Sequence, residues 1–168
     1  MRIYSDAPNL LYKTTKLKAV YTRSEIDDLF AKWDVKDVYW RWDPEHNDVF
    51  VQFEIVEDIK GLEMRVPAKV EAPQVWDHRT RSKAECVNWD ISMRVMYWFI
   101  RSRLEAAYLL QSSKAAAFLP YIATKDGSHT IKDLIIPRLG ELQRLLALPK
   151  ISEFKTVDVE PVDEAELW

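Results

Sequence analysis

Glycine and cysteine are scarce in this chain. Three glycines are too few for the repeated glycine-rich loops that cradle phosphates at many nucleotide sites. The one cysteine, Cys86, excludes a disulfide framework and a cysteine-based zinc site within one chain. Long apolar runs are also missing. The longest, Val95 to Ile100, has six residues, against the roughly 18–20 that cross a bilayer. The stretch from 1 to 20 carries Arg2, Asp6, Lys13, Lys16 and Lys18 and has no apolar core of a secretory signal. The expectation is no membrane association and a cytoplasmic location. A large charge of one sign is absent too: the net charge is −3, which excludes a histone-like chain and leaves any nucleic-acid surface to local clustering.

Chemical motifs are equally sparse. There is no Gly-x-Ser-x-Gly elbow, Walker loop or dinucleotide fingerprint. His46, His78 and His129 form no pair at helical spacing, so no helical metal motif arises. His46 with Asp43, Glu45 and Asp48 has the donors to chelate a cation, but a proline-containing turn accounts for the same residues. Cys86 is expected on a long helix as a buried, inert thiol. No convergent acidic set can be assembled, so the expectation is a non-enzyme with no catalytic residue, metal or cofactor.

What is present is a core. AVILMFWYC residues make up 48% of the 168 positions, with 7 Trp and 7 Tyr, enough for one domain of ordinary size. Leu17 to Tyr21 reads as a short strand. Thr22 and Glu25 then match a capping box, placing Asp27 and Asp28 near the start of a helix that ends about Trp33. Val38 to Trp42 is β-prone, residues 43–48 read as a turn, and Val49, Val51, Phe53 and Ile55 alternate with Phe50, Gln52 and Glu54 as in a half-buried strand. After a turn near Glu57 to Gly61, Leu62, Met64 and Val66 continue the alternation.

Residues 77–111 contain no Pro or Gly and read as one long helix. Lys83, Asp90, Arg94, Arg101 and Glu105 form a polar stripe along it, flanked by Tyr97, Trp98 and Tyr108. Asp90 with Arg94, and Arg101 with Glu105, have the spacing of ion pairs. Ser112 or Ser113 can cap a short helix closed by Pro120, residues 125–127 form a turn, and Thr130 can cap a last helix interrupted at Pro137 and Gly140. The expected fold is α+β: a three- or four-stranded, mainly antiparallel sheet packed on one long helix, with a C-terminal helical lobe. Residues 1–150 form one domain, with 1–73 mostly strands plus a short helix and 77–148 helical.

Charge is split along the chain. Residues 151–168 hold six carboxylates against Lys155, a net −5, so residues 1–150 carry +2. The tail ends with Asp163, Glu164, Glu166, Leu167 and Trp168, an apolar tip on an acidic stem, and resembles the tails of some single-stranded-DNA-binding proteins. That resemblance implies a partner-binding tail that also competes for a basic groove. Two basic groups stand out in the body: Lys13, Lys16, Lys18 and Arg23, and then His78 to Lys83 with Arg79, Arg81 and Lys83, the latter expected at the start of the long helix. On one face they can track a phosphate backbone, with Tyr12, Tyr39 or Trp76 stacking on bases.

Ile100-Arg101-Ser102-Arg103-Leu104-Glu105-Ala106, Phe118-Leu119-Pro120-Tyr121-Ile122, Asp126-Gly127, Thr130-Ile131 and Ile136-Pro137 are similar to motifs of a family of small tailed-phage and prophage proteins. Those read Ile-Lys-Ala-Lys-Leu-Glu-Ala, then Phe-Leu-Ala-Tyr-Ile, then Pro-Asp-Gly-Arg-Thr. The resemblance implies a viral or mobile-element origin, hence the cytoplasm of a host cell, and supplies no catalytic residue. Here Lys114-Ala115-Ala116-Ala117 replaces the family's Glu-rich run before Phe118. The combined expectation is non-enzymatic binding of single-stranded DNA in phage or mobile-element replication or recombination, with replication or recombination proteins as partners of the tail. The alternatives are an interaction module or inhibitor that binds a host or viral protein, and a structural viral protein that self-assembles as a homo-oligomer through the long helix.

Overall fold

The computed structural model describes residues 2–139 apart from residues 11, 79, 82 and 126. The chain divides into two units, Met1–Leu134 and Ile135–Trp168. The fold of the first is α+β, with two three-stranded sheets.

The main sheet is an antiparallel meander of β2 (Lys36–Asp43), β3 (Asp48–Ile59) and β4 (Leu62–Glu71). One face of β3 is apolar, and Val49, Val51, Phe53 and Ile55 are buried as their alternation requires. The β3–β4 turn shrinks to Lys60 and Gly61, both at positive φ (57° and 81°), the geometry of a tight hairpin whose twist matches its strands. Asp58 Oδ1 accepts from the Gly61 N–H at 2.8 Å. On its free edge β4 meets Ile122 through a single antiparallel bridge at Ala68.

Two helices cover the apolar face. The first, α1 (Ala19–Lys32), starts where a strand was expected. Ala19, Thr22, Ile26 and Phe30 are its buried residues, a helical period that reaches back through Thr22 and puts it in the core rather than at a cap. Asp27 and Asp28 are therefore mid-helix, and the first turn has no acidic residue. The cap comes from another element: Asp90 Oδ1 accepts from the Ala19 N–H at 2.8 Å.

The long helix, α2 (Trp89–Leu109), has 21 residues. It starts twelve positions later than its lack of Pro and Gly suggests. Before it, β5 (Val75–Asp77) and β6 (Cys86–Val87) pair antiparallel, and β1 (Ile3–Tyr4) adds to β5 in parallel. Residues 78–83 offer no apolar stripe to bury, so nothing holds them in a helix. Asn88 is the cap: its side chain accepts from the Ile91 N–H and donates to Asp77. Cys86 lies on β6 and is exposed, not buried in the helix.

Met93, Met96, Ile100 and Leu104 of α2 complete the core with Ile26 and Phe30 of α1. Phe53 is its centre, with its ring 4.6 Å from Phe30 and 5.5 Å from Phe118. Ser113 caps α3 (Lys114–Ala117), and Leu119–Tyr121 is a 3-10 turn through Pro120. α4 (Ile131–Ile135) follows Thr130. Thr130 donates both its backbone N–H and its hydroxyl to Asp133 Oδ2, at 2.8 and 2.7 Å.

These bonds hold the Asp133 carboxyl below its ordinary value of 3.8. A depressed folded pKa means the stabilisation is full above the unfolded value and is lost as pH falls through the folded one. The Thr130 amide resonance is expected to titrate with a midpoint below 3.8; a midpoint at or above it contradicts the double bond to Asp133.

In the second unit the described residues are 135–139, where Ile136–Arg138 forms a 3-10 turn at Pro137. The expected remainder of the last helix, and with it most of the C-terminal lobe, lies outside the described residues, as does the acidic tail.

Candidate nucleic-acid interface

The sequence-predicted basic residues sit on two segments tied to β5 and α2. The N-terminal segment begins at β1. The Arg2 guanidinium pairs with Glu85 at 2.6 Å and lies 4.4 Å over the Trp76 ring. Tyr4 donates its hydroxyl to the same Glu85 at 2.6 Å, which raises the phenol above its usual pKa. The Tyr4 ring stacks on His78 at 4.2 Å, and His78 Nε2 lies 3.0 Å from Asp6. Further on, the Tyr12 ring lies parallel to Trp98 of α2 at 5.5 Å. The segment then reaches Asp90, which holds Lys18 Nζ at 3.1 Å. Residues 12–19 therefore run along α2 from its middle back to its N-terminal end.

Lys13 and Lys16 project from this stretch. Both are exposed, and among the described residues neither has a carboxylate partner. Arg23 differs: it is half-buried, with its guanidinium 5.2 Å over Trp40, whose indole N–H donates to Asp27 at 2.8 Å.

The described residues of the second basic group, 78, 80, 81 and 83, lie between β5 and β6 and not in the first turn of a helix. Thr80 and Lys83 close it: the Thr80 N–H donates to the Lys83 carbonyl at 3.0 Å, and the Lys83 N–H to Thr80 Oγ1 at 3.1 Å. This closed turn presents Arg81 and Lys83, both exposed and without a carboxylate partner among the described residues. Arg79 lies outside the described residues. Lys83 leads through β6 and Asn88 into the end of α2 where Asp90 holds Lys18.

The predicted stacking residues are placed differently. Trp76 is half-buried, with Arg2 over its ring. Tyr39 is 57% exposed, but it pairs with Gln52, on the sheet face turned away from the helices. That face carries Asp48, Glu54, Glu63 and Glu71, and they engage its cations: Arg41 with Asp48, Arg65 with Glu63, Lys69 with Glu71. Tyr39 lies beside Phe50 on that face, separated from the basic segments by the sheet. Alternation alone cannot say which face of a strand the helices cover.

Of the polar stripe on α2, Arg101 and Glu105 pair at 2.6 Å, and this hydrogen bond raises the Arg101 pKa further. Asp90 and Arg94 do not pair: Asp90 turns to α1, and Arg94 is held by Glu25. Glu85 and Asp90, which anchor the N-terminal segment, were not singled out as a site by the sequence. Both partners come from distant positions, and no local pattern marks them.

A separate groove lies between the C-terminal ends of α1 and α2, with a volume of about 700 Å³ lined by Lys32, Trp33, Asp34, Glu105, Tyr108 and Leu109. Trp33 meets Tyr108 edge-on at 5.7 Å, and Tyr108, Leu109 and Leu110 are 71, 77 and 75% exposed.

No helix among the described residues is long and apolar enough to cross a membrane. Among the same residues no group of three or more His, Cys, Asp or Glu is placed to hold a metal ion. No family model, curated protein or solved structure matches the chain.

Proposed function

We propose that the protein binds single-stranded nucleic acid without catalysing a reaction, as a cytoplasmic accessory protein of phage or mobile-element DNA replication or recombination. One observation carries the reading. Lys13, Lys16, Arg81 and Lys83 are exposed cations without carboxylate partners among the described residues, on two segments tied to the same end of α2. Eight other cations of the first unit are engaged: Arg2, Lys18, Lys36, Arg41, Arg65, Lys69, Arg94 and Arg101 all pair with carboxylates. Free cations are what a phosphate backbone displaces counterions to reach. The net −5 of residues 151–168 supports the tail as a competitor for the same cations and as a docking element for partner proteins, through Asp163, Glu164, Glu166, Leu167 and Trp168.

Binding to a single-stranded oligonucleotide, titrated against salt with and without residues 151–168, tests this. Four phosphate contacts on a single strand give a log–log slope of about −3, or a roughly 50-fold loss between 50 and 200 mM salt. Removing the tail tightens binding. No binding at low salt by either form ends the reading. The groove at Trp33 and Tyr108 favours a second reading, a protein-interaction module, because an exposed aromatic and leucine cluster is the usual core of a protein contact.

A further inference from the structure

We infer that Trp98, with Arg94 and Arg101, is a seat for a nucleobase and its phosphate, and that Tyr12 fills this seat in the free protein. The inference rests on the nucleic-acid reading and goes beyond it, because it names where a base stacks. Neither Tyr39 nor Trp76 offers a free ring beside the basic segments. Trp98 lies under the N-terminal segment itself, immediately beside Lys13.

The chemistry of the seat is specific. Trp98 has a guanidinium on each side along the helix, Arg94 at 5.6 Å and Arg101 at 4.9 Å from its ring. Trp with two flanking guanidiniums favours a flat, electron-rich ring bearing an anionic group. The present occupant has the first property and lacks the second: the Tyr12 ring lies within 6° of parallel to the indole. Trp98 Nε1 is buried and has no acceptor; an oxygen of a base or phosphate supplies one, whereas an aromatic ring does not.

The occupant is also displaceable. Tyr12 holds φ at 68°, a left-handed conformation that a non-glycine residue leaves readily when its tether is lifted. The two guanidiniums are neutralised by Glu25 and Glu105, whose side chains are 42 and 44% exposed. The Arg101 and Arg94 side chains are 37 and 19% exposed, so the pair at Arg101 is the one open enough to water to exchange partners at little cost. When Tyr12 leaves, Lys13 and Lys16 move with it and remain beside the incoming strand.

The test compares the full-length protein with Tyr12→Leu, using an iodouracil-containing single-stranded DNA oligonucleotide as probe. Two measurements are made: affinity across a salt series, and the site of photocrosslinking after trypsin digestion. Removing the competing ring is expected to tighten binding about 2- to 10-fold, and the crosslink is expected on the peptide Val95 to Arg101. If the wild type binds with a steep salt dependence but Tyr12→Leu binds equally or more weakly, with the crosslink on another peptide, the seat is wrong and the nucleic-acid reading stands. If neither protein binds, both fall.

Discussion

Replacing Lys13, Lys16, Arg81 and Lys83 together by Gln is expected to weaken single-stranded DNA binding about 10³-fold at 50 mM salt and to flatten its salt dependence. The four side chains are exposed and hold no carboxylate among the described residues, so their loss leaves the core and the ties through Arg2, Lys18 and Asp90 in place. An unchanged circular-dichroism spectrum with a lost salt slope is the predicted result. A variant that keeps the wild-type slope would show that phosphate is met elsewhere and would remove the assignment of these two segments. Single replacements are expected to reduce the slope by about 0.7 each.

Replacing Phe53 by Ala is expected to lower the folding free energy by about 3–5 kcal/mol, read from urea unfolding. Phe53 is fully buried, and its ring touches those of Phe30 on α1 and Phe118 after α3. Truncation therefore opens a cavity among three elements and removes two aromatic contacts at once. A loss under about 1.5 kcal/mol would be the cost of a site that collapses easily, and would contradict a closed core at this point.

The main sheet was legible in the sequence because β3 is buried on one face only. Val49, Val51, Phe53 and Ile55 are buried and alternate with Phe50, Gln52 and Glu54, and a period of two has no helical counterpart. The ends of the helices were not legible for a physical reason. Thr22 looks like a cap from its neighbours, but a distant carboxylate, Asp90, caps α1. Residues 78–83 lack helix breakers, yet lacking a breaker does not supply burial, and the described ones among them are not helical. The same limit applies to the interface. Which residues are basic is visible in the sequence, but which cations go unpaired depends on where Glu85, Asp90 and Glu25 lie in space. Tyr39 shows the converse: its exposure could be guessed, whereas the sheet face it stands on is set by its pairing with Gln52 of β3.

The N-terminal segment has a consequence for the order of folding. Its ties reach far along the chain: Arg2 to Glu85 spans 83 positions, and Asp6 to His78 and Lys18 to Asp90 each span 72. Residues 2–18 are synthesised before residues 75–109, so their partners do not exist until β5, β6 and α2 have been made. Closing loops of that length is slow and is rewarded only after the partners are formed. The segment therefore docks late in folding, by a two-residue strand pairing, a few ion pairs and two stacked rings. Contacts so few make it an early part of the unit to open in hydrogen exchange. Lys13 and Lys16 thus ride on a part of the fold that can be released while the core around Phe53 stays closed.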